Sequence, residues 1–87
     1  MMYDFILNKS LTFAQQGQIL LRQANIRSFV MRAPRCIGLR GCAYGLKVDS
    51  GMGKIAASVL REKHLPYEGI FELYANGTAR EVWHDLF

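Results

Sequence analysis

The stretch Met31–Val48, MRAPRCIGLRGCAYGLKV, decides how this chain folds. It opens and closes in strand-like sequence and breaks in the middle. RSFVMRA (27–33) and CAYGLKV (42–48) each carry the β-branched and aromatic residues that suit a pleated surface. Between them, PRCIGLRG (34–41) has Pro34, Gly38 and Gly41, which end strand pairing and predict a loop. Two strands in succession at the centre of the chain restrict the topologies open to it. The same stretch holds both cysteines, Cys36 and Cys42, together with Arg32, Arg35 and Arg40.

Upstream, MYDFILN (2–8) is rich in strand formers and predicts a buried strand. A helix follows. Thr12 and Gln15 have capping-box spacing, and Ala14, Gly17, Leu20, Leu21 and Ala24 recur at helical intervals. Asn25 is the expected stop. Gly17 inside that helix costs about 1 kcal/mol against alanine, which points to close packing on a sheet. Downstream, DSGMGK (49–54) opens a second helix with Asp49 or Ser50 as its cap. Met52, Ile55, Ala56, Val59 and Leu60 make its apolar stripe. Arg61, Lys63 and His64 fall in its last turn, where cations suit the helix dipole, and Pro66 ends it. YEGIFELY (67–74) is a fourth strand.

The end of the chain admits two readings. Asn76-Gly77 is a hairpin signal. Thr78 and Glu81 have capping-box spacing, and a short helix would put Ala79, Val82, Trp83 and Leu86 on one face. The helix is the preferred expectation. The order is therefore βαββαβ plus a tail. Its compact solution is an α+β, ferredoxin-like sandwich, an antiparallel sheet with two helices on one face. Residues 1–75 form that domain, and residues 76–87 pack on it or on a partner chain. In this topology strands one and two run parallel with strand three between them. The loop bearing the cysteines then lies at the end of the sheet where helix one begins. Cys36 and Cys42 are expected near Ser10–Phe13, whose backbone N–H groups favour negative charge.

Composition narrows the function. Eighty-seven residues supply one core, and a hydrophobic fraction of 51% with 21% charged residues argues against disorder. The apolar runs are too short to span a membrane. Asp4 stands where a signal peptide would be basic, so a cytoplasmic protein is expected. In that setting two cysteines are free thiols rather than a permanent disulfide. The net charge of +4 is dispersed, with no Lys/Arg block for nucleic acid. GCAYGLKV (41–48) is also a poor match to the aromatic RNA-recognition segment. GMGK (51–54) lacks the spacing and hydroxyl of a phosphate loop and reads as a helix cap. Cys36, Cys42, His64 and His84 lack the paired short spacings of a zinc site, so no metal and no cofactor are expected.

The cysteines remain. A thiolate is the reactive form of cysteine, and nearby cations or a helix N-terminus lower its pKa. Arg35 and Arg40 could stabilise an anionic sulfur, and Gly41 before Cys42 leaves room for a large partner. The competing reading makes Cys42 the first inward residue of strand three. It would then alternate with Tyr44, Leu46 and Val48 and be an inert small hydrophobe.

Pro34-Arg35, Gly41-Cys42 and Leu46 resemble the pattern, approximately PRxxSxxCGxxL, of the DUF3343 family of selenium/sulfur carrier-like proteins. The resemblance covers Tyr3 to Tyr74. Ala43 stands where that family has glycine, CIGLRG replaces a serine-rich loop, and Cys36 is additional. The resemblance implies a carrier that holds a persulfide or selenosulfide on Cys42. Cys36 would be a resolving thiol and Arg35, Arg40 and Gly41 binding residues. The implied partner is a cysteine desulfurase or a selenium-metabolism enzyme. No general acid or base is evident, so such a chain would not be an independent catalyst. The alternative is a small non-enzymatic interaction or regulatory domain that oligomerises, for instance as a homodimer, with structural cysteines.

Overall fold

The computed structural model describes residues 2–37 and 43–82. Arg40, Gly41 and Cys42 lie outside the described residues, as does the end of the tail from Trp83. The elements are β1 (Tyr3–Asn8), α1 (Leu11–Gln23), β2 (Ser28–Arg32), β3 (Tyr44–Asp49), α2 (Gly53–Glu62), β4 (Gly69–Leu73) and β5 (Ala79–Glu81). The strands form one sheet in the order β2-β3-β1-β4-β5, with every pairing antiparallel. The first four strands and two helices have the ferredoxin-like arrangement expected from their order, and β5 extends it.

Register assigns the faces, because successive side chains point to opposite sides of a strand. Ile6 pairs with Leu46 and Ile70, and Val48 lies two residues beyond Leu46 on the same side. These four pack with Leu21 of α1 and Ala56, Ala57 and Leu60 of α2 in one buried cluster. Both helices therefore cover the same face. Each fully buried aliphatic side chain contributes about 1.5–3 kcal/mol. Gly17 sits where α1 approaches β3, and a Cβ there would stand 2.8 Å from Leu46 Cδ1. The close packing expected from a glycine in mid-helix is present.

The caps differ from expectation in an informative way. The N-cap of α1 is Ser10, whose hydroxyl accepts the Phe13 N–H at 3.2 Å, and not Thr12, which lies inside the helix. A hydroxyl one residue before the helix can reach the third N–H of its first turn. The N-cap position of α2 is Met52, and neither Asp49 nor Ser50 caps it. Its backbone donors are met from another element. Asp4 Oδ2, buried in β1, accepts the N–H of Gly53 at 2.8 Å and of Gly51 at 3.0 Å. At their other ends the two helices stop alike. Asn25 (φ 63°) and His64 (φ 62°) take the left-handed conformation. Ile26 then donates to Leu21 C=O and Leu65 to Leu60 C=O, which closes each helix with a Schellman motif.

The preferred reading of the tail is corrected. Ala79–Glu81 is a strand and not the start of a helix. Tyr74 to Thr78 form a tight hairpin in which Gly77 N–H donates to Tyr74 C=O and Tyr74 N–H to Thr78 C=O, each at 3.0 Å. Gly77 supplies the positive φ of 88° that this three-residue loop requires. Asn76 Oδ1 holds the turn through the Thr78 N–H and hydroxyl. The edge of β4 offers unpaired backbone groups that a strand satisfies and a helix would not. Val82 N–H continues the ladder to Ile70 C=O, and Arg80 forms an ion pair with Glu72 at 3.1 Å. Within the described residues no helix is long and apolar enough to cross a membrane.

Candidate functional site

The site is built where β2 ends. Arg32 pairs with Tyr44, and Tyr44 with Asn8, so β2, β3 and β1 share that end of the sheet, next to the start of α1. The β2–β3 pairing continues one residue further, through a 2.9 Å hydrogen bond from Ala33 N–H to Ala43 C=O. The chain then turns. Ile37 N–H donates to Pro34 C=O at 2.9 Å, which makes Pro34–Ile37 a closed four-residue turn with Cys36 at its third position. Proline at the first residue and the bond across the turn fix the main chain of Cys36.

The turn is also anchored. Ile37 is 6% exposed and packs with Phe5 and Leu73, flanked by Tyr3, Leu7, Met31, Ala33 and Phe71. Register puts Tyr3, Phe5 and Leu7 on one side of β1, opposite Ile6, and Phe71 and Leu73 on the matching side of β4. Ile37 therefore lies on the face that the helices leave open. Cys36 follows it there, is solvent-exposed, and carries a free thiol. The expectation that Cys36 sits by Ser10–Phe13 is corrected. Residues 34–37 leave β2 at the predicted end of the sheet but fold over the other face, because Ile37 is an apolar side chain with an apolar surface beneath it.

Tyr3 shares that face. Burial, and secondarily the charge of a Cys36 thiolate within electrostatic range, raise its hydroxyl above the usual 10.0. The Lys47 ammonium lies 4.8 Å from the centre of the Tyr3 ring, a cation–π distance. Lys47 is opposite Phe5 in the β1–β3 register, so it brings a cation to the face that carries Cys36. Arg35 is exposed in the turn beside Cys36. At the strand ends, the Arg32 guanidinium stands 5.8 Å from the Tyr44 ring centre. Asn8 is 1% exposed, and its side-chain amide has no hydrogen-bond partner among the described residues.

Of the residues singled out in the sequence, Cys36 and Arg35 are thus together in one exposed turn. Arg40, Gly41 and Cys42 lie outside the described residues. Tyr3, Ile37 and Lys47 were not singled out. Tyr3 and Lys47 were accessible in principle, because period-two alternation places them on one side of their strands. Ile37 gave no such signal, since a loop has no periodicity. Among the described residues no three His, Cys, Asp or Glu side chains converge to hold a metal ion. The arrangement can present a sulfur on a fixed backbone to a partner's thiol.

These features define a small α+β domain of ferredoxin-like topology that displays a cysteine-bearing turn on its open sheet face. Residues 3–72 match the family described as "Putative Se/S carrier protein-like", and the chain belongs to that family. The resemblance read from Pro34-Arg35 and Gly41-Cys42 is thereby established. No curated protein and no solved structure gives a significant match.

Proposed function

We propose that the protein carries sulfur or selenium as a persulfide or selenosulfide on Cys42, with Cys36 as the resolving thiol. The observation that carries this reading is the exposed, turn-fixed Cys36 in a chain of this family. In loading, the Cys42 thiolate attacks the terminal sulfur of a persulfide on a donor such as a cysteine desulfurase. The donor's S–S bond breaks, its thiolate leaves, and Cys42 becomes a persulfide. In release, the Cys36 thiolate attacks the inner sulfur of Cys42, expels hydrosulfide or hydroselenide, and forms a Cys36–Cys42 disulfide. A dithiol reductant resets the pair with two electrons. Arg35 and Arg40 stabilise the anionic sulfur, and Gly41 gives the partner access. The chain works in the cytoplasm as the substrate of its partner enzymes and not as an independent catalyst. It binds no nucleic acid.

Intact mass after incubation with a cysteine desulfurase and cysteine tests the proposal. A gain of one sulfur atom is expected in the native protein and in Cys36→Ser, and none in Cys42→Ser. Absence of loading on the native chain sinks the reading.

A second reading is favoured by Phe29, which is 53% exposed on the open face at the β2 edge. The domain would then dimerise or dock through that face, with its cysteines structural. In that case Cys42 stays unreactive towards a thiol probe until denaturation, and Phe29→Ser lowers the oligomeric state.

A further inference from the structure

At the C-terminal end of α1, a cleft of about 300 Å³ is lined by Gln18, Arg22, Asn25, Ile26, Arg27 and Ser28. That volume is at the small end of ligand pockets, which run from about 300 to 1,000 Å³. Its composition is one-sided. Arg22 and Arg27 are exposed side chains with no ion pair or hydrogen bond among the described residues. Ser28 is 7% exposed, and its hydroxyl has no hydrogen-bond partner among the described residues. A buried hydroxyl left unpaired costs about 1–3 kcal/mol, so a ligand that hydrogen-bonds it recovers that cost. No carboxylate lines the cleft to neutralise the two guanidinium groups.

The fold holds these groups in place. The Schellman turn at Asn25 closes α1 and turns the chain back, so that Arg27 and Ser28 enter β2 beside the last turns of the helix. Gln18 Nε2 donates to Ser28 C=O at 3.1 Å and ties α1 to β2 across the floor of the cleft. Buried Ile26 supplies an apolar wall.

We propose that this cleft binds a small organic dianion bearing a phosphate or two carboxylates. Arg22 and Arg27 clamp the charged oxygens, Ser28 donates its hydroxyl, and Ile26 packs on the carbon skeleton. Guanidinium forks match both oxyanions. Ser28 pairs with Val48 on the side of the sheet that the helices cover, whereas the cysteine turn packs on the open side. The cleft is a binding site separate from the sulfur chemistry, and the carrier proposal can fail without it.

Titrations followed by amide NMR distinguish the ligand types. Inorganic phosphate, glycerol 3-phosphate and succinate are the probes, with sodium chloride at matched ionic strength as the control. Saturable shifts at the Gln18 side-chain amide, Asn25 and Ser28 are expected with at least one dianion and not with chloride. Arg22→Gln with Arg27→Gln weakens that binding by about tenfold or more, as loss of charge-assisted hydrogen bonds implies. Both side chains are exposed, so this variant keeps the fold, and its circular dichroism spectrum checks that. Ser28→Ala weakens binding less. Shifts that do not saturate, that chloride reproduces, or that survive the double substitution overturn the proposal.

Discussion

The Asp4 carboxylate of β1 lies 2.8 Å from the backbone nitrogen of Gly53 and accepts its N–H, the first of α2. A residue 49 positions away in sequence thus does the work of an N-cap. The same oxygen takes the Gly51 N–H, so one buried side chain orders both the turn before α2 and the helix start.

Removing that carboxylate leaves buried donors unpaired. Asp4→Ala is expected to lower stability by about 1–3 kcal/mol. Urea unfolding should show a lower midpoint with an unchanged slope. An unchanged midpoint would mean that water replaces the carboxylate at no cost.

His64 ends α2 at φ 62° with its side chain exposed. Left-handed backbone is unfavourable for residues other than glycine, so His64→Gly should stabilise the protein by about 0.5–1 kcal/mol. Asn25, at φ 63°, pays less for the same conformation, and Asn25→Gly should gain less. Thermal unfolding of the two variants side by side reads the difference. A loss of stability in His64→Gly would show that the imidazole contributes more than the backbone costs.

Ile37 is the anchor of the cysteine turn. Ile37→Ala should cost about 2–3 kcal/mol, near the low end for a buried isoleucine because the site is on an open face. An effect within about 0.5 kcal/mol would place Ile37 outside the packed layer. Backbone hydrogen exchange at Ile37, whose N–H closes the turn on Pro34, should quicken in parallel.

Glu72 is held below its ordinary value of 4.5 by the Tyr74 hydroxyl at 2.6 Å, and then by Arg80. Tyr74 is raised above 10.0, chiefly by the same hydrogen bond. The lowered Glu72 contributes stability above pH 4.5 that is lost as pH falls through its folded value. The raised Tyr74 contributes stability below pH 10.0 that is lost as pH rises through its folded value. The gap in melting temperature between the native protein and Tyr74→Phe should therefore be flat at intermediate pH and narrow at both extremes. Arg80 is exposed and Glu72 and Tyr74 are half-buried, so salt should shrink the part of the gap that comes from the Arg80 charge. A gap indifferent to pH would remove the carboxylate from the interaction.

The sequence by itself determined the element order and the sheet that follows from it. The strand formers of Phe5-Ile6-Leu7, helical spacing through Leu20-Leu21 and Leu60, and the breaks at Asn25 and Pro66 are local signals, and local signals survive in one dimension. They also placed Cys36 and Arg35 in one loop between β2 and β3. Tertiary structure decided the rest. The capping-box spacing of Thr78 and Glu81 yielded to a free edge on β4, because backbone pairing with a neighbouring strand is available only once the sheet exists. Asp4 became the cap of α2 because folding brought β1 beside it, which spacing along the chain cannot report. Cys36 went to the open face because Ile37 found Phe5 and Leu73 there. A loop has no period, so its direction is set by the apolar surface it can cover.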